Sequence, residues 1–241
     1  MRPDDEMPSL RQRRRDVAVG EILSAAERHI AEHGPAGLSL RAVARDLGMT
    51  VQALYHYFPR RDDLVTALVA KAYDDLTHAV RAADAAARDQ PGLPRLVVAA
   101  EGYRRWAIDH PERFQLIYGT PLRHYVAPAK GATTQAVRRM SRIFRQALFD
   151  GCTAGQLAAC DTAELSPGLR AHLESLPADG LGALPAPAAA LFLSTWGHLH
   201  GLVVLEVFGH TTFLGDHRAE VFRLAMLNLV ADARRRIPGA S

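Results

Sequence analysis

From Asp16 to Glu32 the apolar residues Val19, Ile22, Leu23, Ala26 and Ile30 recur at three- and four-residue steps, the period of one helix face. Gly34-Pro35 ends that run. Ser39 is placed to cap a second helix with the apolar stripe Leu40, Val43, Ala44 and Leu47. Gly48 supplies a tight turn, because it reaches positive φ without a Cβ clash. Thr50 is placed to cap a third, short helix in which Val51, Leu54 and Phe58 turn inward. Pro59 stops it, and Asp62-Asp63 open a fourth helix, where carboxylates suit the positive end of the helix dipole. That helix runs to about Arg88, ahead of the break Gln90-Pro91-Gly92.

Beyond the break the same period predicts helices near 93–109, 111–118, 130–151, 165–175, 187–209 and 215–235. Between 152 and 186, several Gly and the residues Pro167, Pro177 and Pro185 mark loops. No run keeps the two-residue alternation of a strand. The expected fold is all-α: an N-terminal three-helix unit with a helix-turn-helix at 15–64, joined to a larger helical bundle at 65–241. Residues 1–14 read as a disordered basic arm.

Composition changes this picture little. Hydrophobic residues make up 48% and charged residues 23%, an ordinary globular balance. The run Arg11, Arg13, Arg14, Arg15 is not followed by an apolar stretch, so no signal peptide is expected. Ala188 to Phe208 is apolar, but His198, His200 and Glu206 argue for a core helix over a membrane span. Cys152 and Cys160, the two cysteines, have no metal-type cluster around them and read as reduced thiols of a cytoplasmic protein. The near-total use of Arg over Lys, with abundant Ala, hints at a GC-rich bacterial source. The first 65 residues are electrically balanced, so any nucleic-acid argument rests on where the charges sit.

A helix, a glycine turn and a second short helix can place that second helix in a DNA major groove. Tyr55, His56 and Tyr57 are consecutive, so they cannot all face one core. With Val51, Leu54 and Phe58 inside, the outward set is Thr50, Gln52, Ala53, Tyr55, His56 and Tyr57. Gln52 can pair two-fold with adenine, whereas Thr50 and Tyr57 suit phosphates. Arg41, Arg60, Arg61 and the N-terminal arginines flank the same surface. A helical module that binds a ligand or partner without DNA remains the alternative on geometry alone.

The run Leu38 to Leu64 resembles the DNA-binding domain of TetR family transcriptional regulators, with Ala44, Leu47-Gly48, Leu54-Tyr55, Tyr57-Phe58, Arg61 and Leu64 carrying the match. The resemblance implies Arg41, Val51, Gln52, Tyr55 and His56 near bases, and Thr50, Tyr57 and Arg61 near phosphates of a double-stranded operator. Ala53 stands where some members carry a phosphate-contacting hydroxyl, a contact that cannot form here. The resemblance also implies a homodimer joined through the last two helices, a small-molecule effector and, most often, a repressor.

The last two helices agree with that implication on their own terms. Ala188–Phe208 is apolar nearly all round, and the stretch from Val221 to Val230 covers more than one face. A helix apolar on every side must be covered on every side. Trp196-Gly197-His198-Leu199-His200-Gly201, with Glu206 and Gly209, resembles the Trp…His-Gly signature of one TetR subgroup. His200 reads either as a polar group in an apolar ligand pocket or as a core histidine satisfied by a neighbour. Candidate pocket residues are Tyr103, Trp106, Phe114, Ile117, Tyr118, Met140, Phe144, Trp196, His200 and Val203. No catalytic motif, cofactor loop or metal-ligand set is found, so neither an enzyme nor a cofactor is expected.

Overall fold

The computed structural model describes residues 9–87, 93–119 and 131–239. Among these the chain is helical, with no strand: α1 (Leu10–His33), α2 (Leu40–Asp46), α3 (Val51–Tyr57), α4 (Arg61–Ala87), α5 (Arg95–Asp109), α6 (Pro111–Tyr118), α7 (Ala132–Leu148), α8 (Ala154–Ala158), α9 (Pro167–Ser175), α10 (Ala186–Val207) and α11 (Arg218–Arg236). Contacts divide the chain into two compact units, Met1–Ala72 with Glu112–Thr133, and Tyr73–Pro111 with Thr134–Ser241. The division falls within α4 and lies further along than the boundary after residue 64 that the sequence suggests.

In the first unit α2 and α3 pack on each other and on α1. Ile22, Ala26 and Ile30 of α1, Val43 and Ala44 of α2, and Leu54 are buried together with Phe58, which lies just past the end of α3. Each buried Ile, Val, Leu or Phe side chain among them contributes roughly 1.5–3 kcal/mol on leaving water. The caps fall where the sequence placed them. Ser39 Oγ accepts from the Ala42 amide at 3.4 Å, and Thr50 Oγ1 from the Ala53 amide at 3.1 Å. Gly48, at φ +64°, makes the turn.

One expectation is corrected at the N-terminus. Residues 10–14, assigned to a disordered arm, are the first turn of α1, capped by the Ser9 side chain through the Gln12 amide. The cap and the Gln12–Asp16 hydrogen bond at 2.8 Å extend the helix beyond the last apolar position that the period could register. Residues 1–8 lie outside the described residues.

In the second unit α5 packs against both α10 and α11, and α10 packs against α11. The short helix α8 was not anticipated, because AGQLA has too few apolar positions to show a period. Its capping box is nonetheless written in the sequence: Thr153 caps the Gln156 amide, and Gln156 returns a bond to the Thr153 amide at 2.8 Å. By length and composition alone α10 is apolar enough to cross a membrane. Its one carboxylate, Glu206, is held within the fold by Arg104.

Candidate nucleic-acid interface

The turn between α2 and α3 is closed by backbone bonds from the Gly48 amide to the Arg45 carbonyl (3.0 Å) and from the Met49 amide to the Ala44 carbonyl (2.9 Å). This closure sets the direction of α3. Leu54 is fully buried, so Gln52, Tyr55 and His56 are turned out and exposed. Tyr57 is half-buried, with the Arg15 guanidinium 5.5 Å above its ring and the His56 ring edge-on at 5.7 Å. Val51 is half-buried, between the inward position that helical spacing gave it and the base-facing one that the resemblance implies.

Arg41 is exposed on α2, and Arg11, Arg14 and Arg15 are exposed on α1. Thr50 uses its oxygen to cap α3, which leaves the hydroxyl proton available to a phosphate oxygen. Arg60 behaves differently from the sequence reading. Asp63 accepts from its Nε at 3.2 Å and its Nη2 at 2.7 Å, so that arginine's charge is answered inside the protein. The same bonds hold the Asp63 carboxyl below its ordinary range and the Arg60 guanidinium above its own. Arg61, at the start of α4, is half-buried.

Four of the residues expected to line a pocket come together in the second unit. Tyr103, Phe144, Trp196 and His200 form one aromatic cluster. The Tyr103 ring stands edge-on to Phe144 (5.8 Å) and Trp196 (5.4 Å), and Trp196 stacks on His200 at 5.5 Å. Tyr103 Oη lies 2.7 Å from His200 Nδ1. Burial holds the His200 imidazole below its ordinary range. Met140 and Val203 are buried in the same unit, and Trp106 packs edge-on to His110. Phe114 and Tyr118 belong to the other compact unit, where they pack on each other at 5.2 Å. A cavity of about 370 Å³ opens elsewhere, between the start of α5, the end of α7 and the end of α11, and shares no residue with the expected pocket.

Sequence reasoning missed one buried link beside the aromatic cluster. Arg104 donates to both oxygens of Glu206, at 2.6 and 2.5 Å, and its guanidinium lies over the Phe222 ring at 5.6 Å. Glu101 accepts from Arg223. Thus α5 is tied to α10 and α11 by three polar contacts within one turn. Nothing in the spacing of Arg104 and Glu206 marks them as partners.

A short recognition helix set on a glycine turn, with polar and aromatic side chains outward and arginines around it, defines a helix-turn-helix protein of the kind that reads DNA. The bacterial regulatory protein family named tetR matches residues 22–68, and the tetracyclin repressor-like C-terminal domain matches residues 96–229. The chain belongs to the TetR family of transcriptional regulators and is not an enzyme.

It is 34% identical over 197 residues to the HTH-type transcriptional regulator Rv1816 of Mycobacterium tuberculosis (strain ATCC 25618 / H37Rv), spanning 81% of this chain and 82% of that one. The crystal structure of the regulatory protein SCO4313 superposes with a TM-score of 0.70 at 32% identity, over 93% of this chain and 100% of that one. RolR in complex with the ligand resorcinol superposes with a TM-score of 0.52 at 16% identity, covering 95% and 99%. That last likeness speaks for the fold alone.

Proposed function

We propose that this regulator is a cytoplasmic homodimer that binds a palindromic operator and is released from it by a small molecule, which makes it a repressor. The observation that carries the DNA reading is the outward triad Gln52, Tyr55 and His56 on a helix whose opposite side is locked by Leu54. In this reading Arg41, Val51, Gln52, Tyr55 and His56 meet base edges, while Thr50, Tyr57 and Arg61 hold phosphates. Arg15 over Tyr57 supports a backbone role for that ring, because it brings a cation to the same place.

The effector site is proposed around Tyr103, Phe144, Trp196 and His200, with Met140 and Val203, buried in the same unit, as further candidates. Trp196 and His200 are each only half-buried, whereas Tyr103 and Phe144 are buried. RolR, a protein of this fold, holds resorcinol, which makes a small planar ligand a reasonable class. The Trp196…His200-Gly201 stretch with Glu206 and Gly209 supports the Trp…His-Gly subgroup. A bound effector would act by favouring a separation of the two reading heads that no longer matches successive major grooves. It can do so only by its difference in affinity for the two arrangements.

Selection from a random double-stranded DNA pool tests this reading. An inverted repeat should emerge, bound roughly 10³–10⁷-fold more tightly than random sequence. Gln52→Ala should relax the preference at one base position of each half-site, at a cost of about 1–3 kcal/mol, and Tyr57→Phe should weaken binding evenly across sequences. A pool that never enriches would sink the proposal.

A further inference from the structure

The outer face of α10 carries Leu193, Gly197, Gly201 and Leu205 at four-residue steps. Leu193 and Leu205 are 43% and 44% exposed. Gly197 is exposed, Gly201 is half-buried, and a Cβ built on either glycine meets no atom of the chain within 4 Å. Only 39% of the most apolar stretch of this helix is buried in one protomer. Val221 and Leu224 of the neighbouring α11 are also exposed, at 41% and 54%.

The order of side chains along this row is a palindrome, with the exposed polar residues Ser194 and His198 to one side of it. Leucine, glycine, glycine and leucine are disposed evenly about the level of Leu199, whose own side chain is buried on the other side. An isologous contact requires that residue i meet residue j while j meets i. This face satisfies that requirement with itself when two copies run antiparallel. We infer that α10 crosses the α10 of a second copy with the two-fold axis at the level of Leu199, placing Gly197 against the partner's Gly201 and Leu193 against the partner's Leu205. The inference rests on the proposed dimer and adds its register.

The spacing also sets the geometry. Rows of residues four apart interdigitate at a crossing angle of about −50°. At such a crossing the helices touch closely at one point, where the glycines lie, and the leucines close the contact on either side. Small residues at the crossing permit the near approach of backbones, and the lack of a neighbour at each Cβ position leaves the groove open for a partner.

The glycines make a clean test, because a side chain at either position has room within the protomer. Gly197→Leu and Gly201→Leu should each keep the helical circular-dichroism signal. Each should raise the dimer dissociation constant by on the order of ten- to a hundred-fold in sedimentation velocity, the cost of overpacking a close contact. A double variant, Leu193→Cys with Leu205→Cys, should form a covalent dimer on mild oxidation. Neither single variant nor the parent chain should do so.

A parent protein that stays monomeric at micromolar concentration, alone or bound to phospholipid vesicles, overturns both the dimer and its register. A dimer indifferent to both Gly197→Leu and Gly201→Leu, or one in which Leu193→Cys alone cross-links, overturns the register and leaves the dimer standing.

Discussion

Thr50 shows how much one side chain contributes at the reading surface. Its oxygen satisfies the Ala53 amide at the start of α3, and its hydroxyl keeps a proton to donate. Thr50→Ala should therefore cost about 1 kcal/mol of stability in urea unfolding, and Thr50→Ser should restore it. His200 is one residue through which pH acts on the second unit. Its value in the fold lies below its ordinary one of about 6.5 because burial disfavours the imidazolium. Between those two values the unfolded chain takes up a proton that the folded chain refuses. Its contribution is therefore intact above about pH 7 and declines as pH drops through the unfolded value, levelling off below the folded one. Thermal unfolding between pH 5 and 8 should show that decline, and His200→Gln should flatten it.

At the scale of elements, the joints matter more than the helices. The Arg104 and Glu206 side chains are 16% and 7% exposed, so each would be a buried unpaired charge without the other. Arg104→Met alone should cost about 3–5 kcal/mol in denaturant unfolding, whereas Arg104→Met with Glu206→Met should recover most of that loss. A double variant as unstable as the single one would mean that the packing of the Arg104 stem on Phe222 is what counts. Most element boundaries were legible beforehand, because Ser39, Gly48, Thr50, Pro59 and the Gly34-Pro35 pair act within a turn of where they stand. The start of α1 and all of α8 were not, since both rest on caps rather than on apolar period. The candidate site was legible to the same degree. Leu54 at its place in α3 already turned Gln52, Tyr55 and His56 outward. The pairing of Arg60 with Asp63 spans only three residues, yet which of several neighbours Arg60 would choose depends on rotamers that no spacing shows.

The whole molecule leaves α10 and α11 with exposed Leu193, Leu205, Phe208, Val221 and Leu224, which a dimer of the proposed kind would cover. Dimerisation coupled to folding makes stability depend on protein concentration. The melting temperature should rise steadily as concentration is increased a hundredfold, while a monomer would melt at one temperature throughout. Sequence alone determined the all-helical class, the helix-turn-helix and the outward triad, because periodicity, caps and breakers are local and act through neighbours along the chain. Tertiary structure alone decided which distant groups meet: Tyr103 with His200, Arg104 with Glu206, and Glu101 with Arg223. Those choices depend on how helices far apart in sequence are set against one another, and the side chains they bring together carry no mark of it beforehand.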